Sequence, residues 1–426
     1  MSAPQAAAPW RNANLRWLLA GSALSLTGDQ FTLIALPWLV LGLTGDPLAL
    51  GFVVALMSVP RAVFILLGGA LVDRYSPKTV MMLTKYASAL LLGVLAALTW
   101  TGHATLTTIY LLALGIGLAQ AFAMPSGTAM LPRSVPGPLL QAANGLMMGL
   151  RQLSMLAGPL LAALLLAFAP SASAGGTDMR ALGLAFAVDC VTFILSAWTL
   201  ARVRPLPADK PDGAGEPVLR AVGAGLAMVW RDVPLRTCFL YWSLIALFVG
   251  GAMQVALPLL ASETLGSAPA YGFLMAAHGG GMLLGMAVAT LAPKPKALSF
   301  GATLLAGDAL AGLLLMLLGG IAATWQGIGL LLALGALAGY LQVAIFTWIQ
   351  RRVAPHMLGR AMSIFLFIFM GLAPLSAAAT GWVLQHITLG QLFACSGGAL
   401  ILCATLAWLW TPMRTIATTP ETTAAP

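Results

Sequence analysis

Along the chain, apolar runs of roughly 20 residues or more alternate with short clusters of Gly, Pro and charge. A run of that length crosses a bilayer as an α-helix, because each residue adds ~1.5 Å of rise. The pattern predicts twelve spans, near 15–42, 48–72, 79–101, 105–132, 139–168, 180–201, 236–262, 269–292, 298–319, 326–350, 358–385 and 388–411. Helix breakers mark the turns: Gly45-Asp46-Pro47, Ser76-Pro77, Pro136-Gly137-Pro138, Gly175-Gly176 and Pro293-Lys294-Pro295. The short alternating strands of a membrane β-barrel are missing.

Basic residues support the count, since loops on the cytoplasmic side collect Lys and Arg. If the spans alternate, one side receives Arg11, Arg16, Arg74, Lys78, Lys85, Arg133, Arg202, Arg204, Lys210, Arg220, Arg231, Arg236, Lys294, Lys296, Arg351, Arg352, Arg360 and Arg414. The opposite side keeps Arg180, while Arg61 and Arg151 fall inside spans. One missed span would destroy that split. Both termini are therefore expected in the cytoplasm of a plasma (cell inner) membrane, as residues 1–14 and 412–426. The N-terminal stretch reads as a retained tail rather than a signal peptide.

Composition narrows the classes further. The chain has 426 residues, 60% of them hydrophobic and 8% charged. A soluble domain carries about 25% charged residues. A soluble enzyme and a nucleic-acid-binding protein are thereby excluded, and the net charge of +9 becomes a topology signal. No Gly-x4-Gly-Lys-Ser/Thr is present, so ATP hydrolysis is not expected. Cys190, Cys238, Cys395 and Cys403 are scattered among apolar residues and read as small buried hydrophobes. His103, His278, His356 and His386 do not cluster, so no metal or other cofactor is expected.

The most polar stretch, 202–217, holds Pro205, Pro207, Pro211, Gly213, Gly215 and Pro217. It separates two bundles, expected at 15–201 and 236–411, within a linker at 202–235. From Pro217 to Asp232 the linker reads as an amphipathic helix with Val218, Val222, Leu226 and Val229 on one side. The bundles echo each other. Ala35-Leu36-Pro37 matches Ala256-Leu257-Pro258, Gly51-Phe52 matches Gly272-Phe273 and Ala55 matches Ala276, all at one offset. Leu131-Pro132-Arg133-Ser134-Val135 echoes Ile349-Gln350-Arg351-Arg352-Val353 at a similar one. Duplicated six-helix halves are the plan of alternating-access transporters, with cargo between them near the midplane.

Between the second and third spans stands Gly69-Ala70-Leu71-Val72-Asp73-Arg74-Tyr75-Ser76-Pro77-Lys78. It resembles the loop signature of the major facilitator superfamily, Gly-x-Leu-x-Asp-Arg-x-x-x-Lys/Arg. The resemblance implies an all-α fold of twelve transmembrane helices in two pseudo-symmetric bundles. It also implies a cytoplasmic gate built on Gly69, Asp73, Arg74 and Lys78. In the fifth span, Gly145, Ser154 and Gly158-Pro159, followed by Ala162-Ala163, are similar to the glycine motif of that superfamily's exporters. Some of its glycines are replaced here by other small residues, which keep close packing possible. Leu26-Thr27-Gly28-Asp29, Ala35-Leu36-Pro37-Trp38-Leu39-Val40-Leu41, Leu43-Thr44-Gly45, Pro60-Arg61 and Ala143-Asn144 resemble the macrolide-efflux and enterobactin-exporter branch.

Ionisable groups deep in a membrane are costly and mark function. Asp29 lies roughly 21 Å along the first span, Arg61 roughly 18 Å from the loop and Arg151 roughly 16 Å up the fifth. Asp29 is expected to pair with Arg61 or Arg151, either exchanging a proton during transport or ordering the helices permanently. Asp189 and Asp308 are expected to make polar packing contacts, and His278 a core hydrogen bond. The superfamily resemblance implies a cavity lined by the first, fourth, seventh and tenth spans, where Gln30, Gln120, Gln254, Tyr340, Gln342 and Trp348 stand. The reading is a monomeric, proton-driven exporter of an amphipathic small molecule, surrounded by membrane lipid. The alternatives are a lysophospholipid flippase and a non-transporting membrane sensor.

Overall fold

A computed structural model describes residues 9–74, 76–168, 178–206, 218–291, 299–354 and 357–417. Residues 1–8 and 418–426 of the terminal tails, the Gly175-Gly176 turn, the centre of the linker and the Pro293-Lys294-Pro295 turn lie outside them, as do the side chains of 62, 64–74, 124 and 218–222. Every element among the described residues is helical. Among the described residues, 11 helices are long and apolar enough to cross a membrane. The second predicted span forms α2 (Pro47–Arg74), whose described apolar part, Pro47–Arg61, is shorter.

Contacts divide the chain into two compact units. One comprises Met1–Ala49, Leu56–Gly215 and Tyr271–Ala276; the other comprises Leu50–Ala55, Glu216–Ala270 and Ala277–Pro426. The two short exchanged segments hold the repeat-related pairs Gly51-Phe52 and Gly272-Phe273.

In the first unit, α1 (Ala13–Thr44) packs against α5 (Leu140–Phe168) and α6 (Met179–Arg202). There α3 (Pro77–Trp100) packs against α4 (Leu106–Met130) and α6. Local chemistry sets the ends. Asn12 accepts a hydrogen bond from Leu15 N and caps α1, and Asp178 does the same for Arg180 N and Ala181 N at α6. Gly45, at φ 60°, closes α1 in the left-handed conformation that a side chain would disfavour.

In the second unit, α7 (Val218–Arg231) leads into α8 (Val233–Gly251). Asp232 caps α8 through Leu235 N and pairs with Arg352 at 2.9 Å. The seventh span then widens into a π-helical stretch, Ala252–Ala256, before α9 (Leu257–Glu263). Pro258 supplies the reason: it lacks an N–H, and its ring would clash with the Gln254 carbonyl in a regular helix. Further on come α10 (Ala268–Leu291), α11 (Phe300–Leu318), α12 (Thr324–Arg352), α13 (Leu358–Gly371), α14 (Ala373–Val383) and α15 (Leu389–Trp410).

Four glycines hold α10 against α12. Added Cβ atoms at Gly281 and Gly285 would collide with the carbonyls of Leu332 and Ala336. Those at Gly335 and Gly339 would collide with the carbonyls of His278 and Met282. Two small-xxx-small stripes thus face each other, which is how helices associate where lipid offers no hydrophobic drive.

Candidate functional site

A polar stripe runs along the otherwise apolar α1: Gly21, Ser25, Gly28, Asp29 and Thr32, spaced three or four residues apart on one side. Opposite it, α6 presents Asp189, Thr192, Ser196 and Thr199. The helices run antiparallel, because Gly21 meets Ser196 and Thr199 whereas Gly28 meets Thr192 and Asp189. A Cβ on Gly28 would stand 2.5 Å from Asp189 Oδ1 and would collide with Thr192. Gly28→Val is therefore expected to cost about 1–3 kcal/mol through overpacking. Thermal unfolding in detergent measures it.

Lys85 of α3 enters this seam. Its ammonium donates to Ser25 Oγ at 3.3 Å and Ser196 Oγ at 2.6 Å, and lies 5.8 Å from the Phe193 ring centroid. Both serines pass their own hydroxyl protons to the Gly21 carbonyl, at 3.1 and 2.5 Å. Only 5% of Lys85 is exposed. Asp189 is fully buried and accepts from the hydroxyls of Thr32 and Thr192.

Asp29 sits near the middle of the 32-residue α1 and is half-buried. Gln120 of α4 donates to its Oδ1 at 3.3 Å. Lys85 and Arg61 lie within electrostatic reach, and neither makes a direct ion pair with it. Arg61 instead donates to the Met57 carbonyl at 3.3 Å. The carboxyl is thus held by a neutral amide, with two cations and the Asp189 carboxyl within electrostatic reach.

This arrangement corrects three expectations. Arg151 is exposed on α5 and is not among the charges acting on Asp29. Arg61 is near Asp29 without pairing to it. Lys85, counted above with the loop charges, is an interior group eight residues into α3. Its place inside the predicted span 79–101 was the signal that could have found it.

In the gate signature, the side chains of Gly69, Asp73 and Arg74 lie outside the described residues. Lys78 donates to the carbonyls of Ala201 and Val203, at 3.0 and 2.7 Å, where α6 ends and a cation is favoured by the helix dipole. Lys78→Met should cost about 1 kcal/mol, detectable as a lowered unfolding temperature. In the α5 motif, Ser154 meets Thr27 Oγ1 at 3.3 Å. Gly158 lies beneath the Gln30 side chain, and α5 continues through Pro159. Nothing among the described residues lies within 4 Å of a Cβ placed on Gly145.

Of the residues expected around a cavity, Gln120 joins Asp29 and Gln30 packs on α5. Gln254, Tyr340 and Gln342 are half-buried in the second unit. Trp348 is 2% exposed, stacked on Phe300 at 4.9 Å and edge-on to Trp242. It offers no face to a cargo in this conformation. Asp308 is buried near Tyr241, whose hydroxyl has no hydrogen-bond partner among the described residues. His278 rests against the Leu331 backbone, with its Nδ1 unpartnered among the described residues. Cys395 is exposed, contrary to its reading as buried, and Cys238 is buried.

Long apolar helices that enclose charged groups define a multi-pass membrane protein. The chain belongs to the Major Facilitator Superfamily, whose family model matches residues 18–378. It is 24% identical over 373 residues to the "Multidrug efflux pump Tap" of Mycobacterium tuberculosis, covering 85% of each chain. It is also 24% identical over 274 residues to "Macrolide efflux protein A" of Streptococcus pyogenes, covering 63% of this chain and 65% of that one. Among solved structures, the nucleoside transporter NupG (D323A mutant) superposes with a TM-score of 0.73 at 13% identity. That match covers 92% of this chain and 98% of that one, and it carries the fold alone.

Proposed function

We propose that the protein exports an amphipathic small molecule across the plasma membrane in exchange for protons, with Asp29 as the proton carrier. The observation that carries this reading is the bonding of Asp29. A carboxylate locked in a direct ion pair stays ionised and merely ties helices together. Asp29 is instead held by Gln120, whose amide can serve the charged form as donor and the protonated form as acceptor. Lys85 and Arg61 supply positive potential at a distance.

The cycle alternates access between two bundles, 15–201 and 236–411, with both termini cytoplasmic and a monomer as the working unit. Gly69, Asp73, Arg74 and Lys78 hold the cytoplasmic gate. Gln30, Gln254, Tyr340 and Gln342 contact cargo, and their neutrality suits an amphipathic molecule. The relatives named as efflux pumps support the direction of transport.

The test is flux in proteoliposomes with an imposed pH gradient, using lipophilic drugs, siderophore-like acids and lysolipids as probes. Gradient-driven movement of a soluble amphipathic probe is expected. Lysolipid movement indifferent to the gradient would replace the proposal with lipid translocation, and binding without flux would replace it with a sensor.

A further inference from the structure

On the second unit, a groove of about 620 Å³ opens between α7, α8 and α13. That volume is within the range of small-ligand sites. Its floor is built by Val229, Phe239 and Ile368, all buried. Leu226, Leu240 and Phe367 form the walls and stay exposed. The lining is hydrocarbon-like until the lip. There the Arg236 guanidinium lies over the Trp230 ring, 5.4 Å from its centroid, and donates to the Trp230 carbonyl at 3.3 Å.

Arg231 follows Trp230 in the chain and is exposed. The adjacent acid, Asp232, is already engaged: both its oxygens accept from Arg352 Nε, at 3.0 and 2.9 Å, and Oδ1 caps α8. The lip therefore presents positive charge that its neighbouring carboxylate does not neutralise. An exposed Trp with an apolar body and a polar edge sets this lip at interfacial depth.

We infer that the groove binds one anionic phospholipid, its acyl chain along Leu226, Leu240 and Phe367 and its phosphate at Arg236 and Arg231. An arginine fork suits phosphate oxygens. A zwitterionic headgroup would bring its own cation against the two arginines. A second copy of the chain, docked by symmetry on this face, would set arginines against arginines. Basic pockets between membrane helices recognise lipid headgroups by this chemistry.

The experiment purifies the full chain with a mixture of phosphatidylglycerol and phosphatidylcholine and counts retained lipid by native mass spectrometry. Wild type is expected to retain phosphatidylglycerol selectively. The Arg231→Gln/Arg236→Gln variant should lose that preference by about tenfold or more, as two surface arginines imply. Leu226→Glu, at a 52% exposed wall position, should reduce retention of both lipids without unfolding the chain. Equal retention of the two lipids by wild type, or unchanged selectivity in the double variant, overturns the inference. So does a dimer that Leu226→Glu dissociates, which would make the groove a contact between copies.

Discussion

Asp29→Asn is expected to abolish gradient-driven export while leaving fold and cargo binding in place. Asn preserves the side chain's shape and its Oδ1, so the contact from Gln120 survives. Breaking a buried ion pair would cost about 3–5 kcal/mol, but no direct pair is broken here. The change should stay within ~1 kcal/mol, the worth of one ordinary hydrogen bond. Thermal unfolding should therefore barely move, whereas flux under a pH gradient should fall to the rate seen without one. Equilibrium binding of the same probe should persist. An Asn variant that still accumulates cargo against its gradient when protons drive it would remove Asp29 from the coupling step. Severe unfolding would instead show Asp29 to be a structural tie.

Lys85→Met is expected to raise stability and lower transport together. A lysine 5% exposed has surrendered its hydration. In return it has two hydroxyl acceptors and one aromatic face, and no carboxylate in contact. Replacing poorly compensated buried charge by an apolar group of similar volume stabilises by about 1–4 kcal/mol in favourable cases. Ser25 and Ser196 keep their bonds to the Gly21 carbonyl, so no buried donor is orphaned. What disappears is the share of the positive potential at Asp29 that Lys85 supplies beside Arg61. A coupling of ~1.4 kcal/mol is tenfold in an equilibrium, so gradient-driven flux should fall by about tenfold or more. The expected pattern is a higher unfolding temperature with slower export. A variant that is both less stable and fully active would assign Lys85 to helix packing alone. Sites that lower stability while serving function are where such trade-offs are found.

The helical membrane fold was legible in one dimension because a bilayer imposes strong local rules. A span must be long, apolar and internally hydrogen-bonded, and its ends carry caps and breakers that short-range sequence displays. The Gly45-Asp46-Pro47 turn and the family signature at Gly69–Lys78 are both of that kind. Asp29 was legible for the same reason, as a charge where the membrane forbids one without cause.

Its surroundings were not. Arg61 and Arg151 sit at depths similar to Asp29, yet α1 faces α6, α3 and α4 with the relevant stripe and leaves Arg151 exposed. Lys85 lies near the end of a span by count, but α3 packs it between Ser25 and Ser196, 60 and 111 residues away in sequence. Trp348 has the character of a cavity aromatic and is instead locked among Phe300 and Trp242. The sequence by itself determined which segments are long and apolar enough to enter the membrane and that Asp29 is anomalous there, because length, hydropathy and capping act over a few residues. The tertiary structure alone decided which charges meet, because a helix's rotation and neighbours depend on packing along its whole length, down to single glycines such as Gly28.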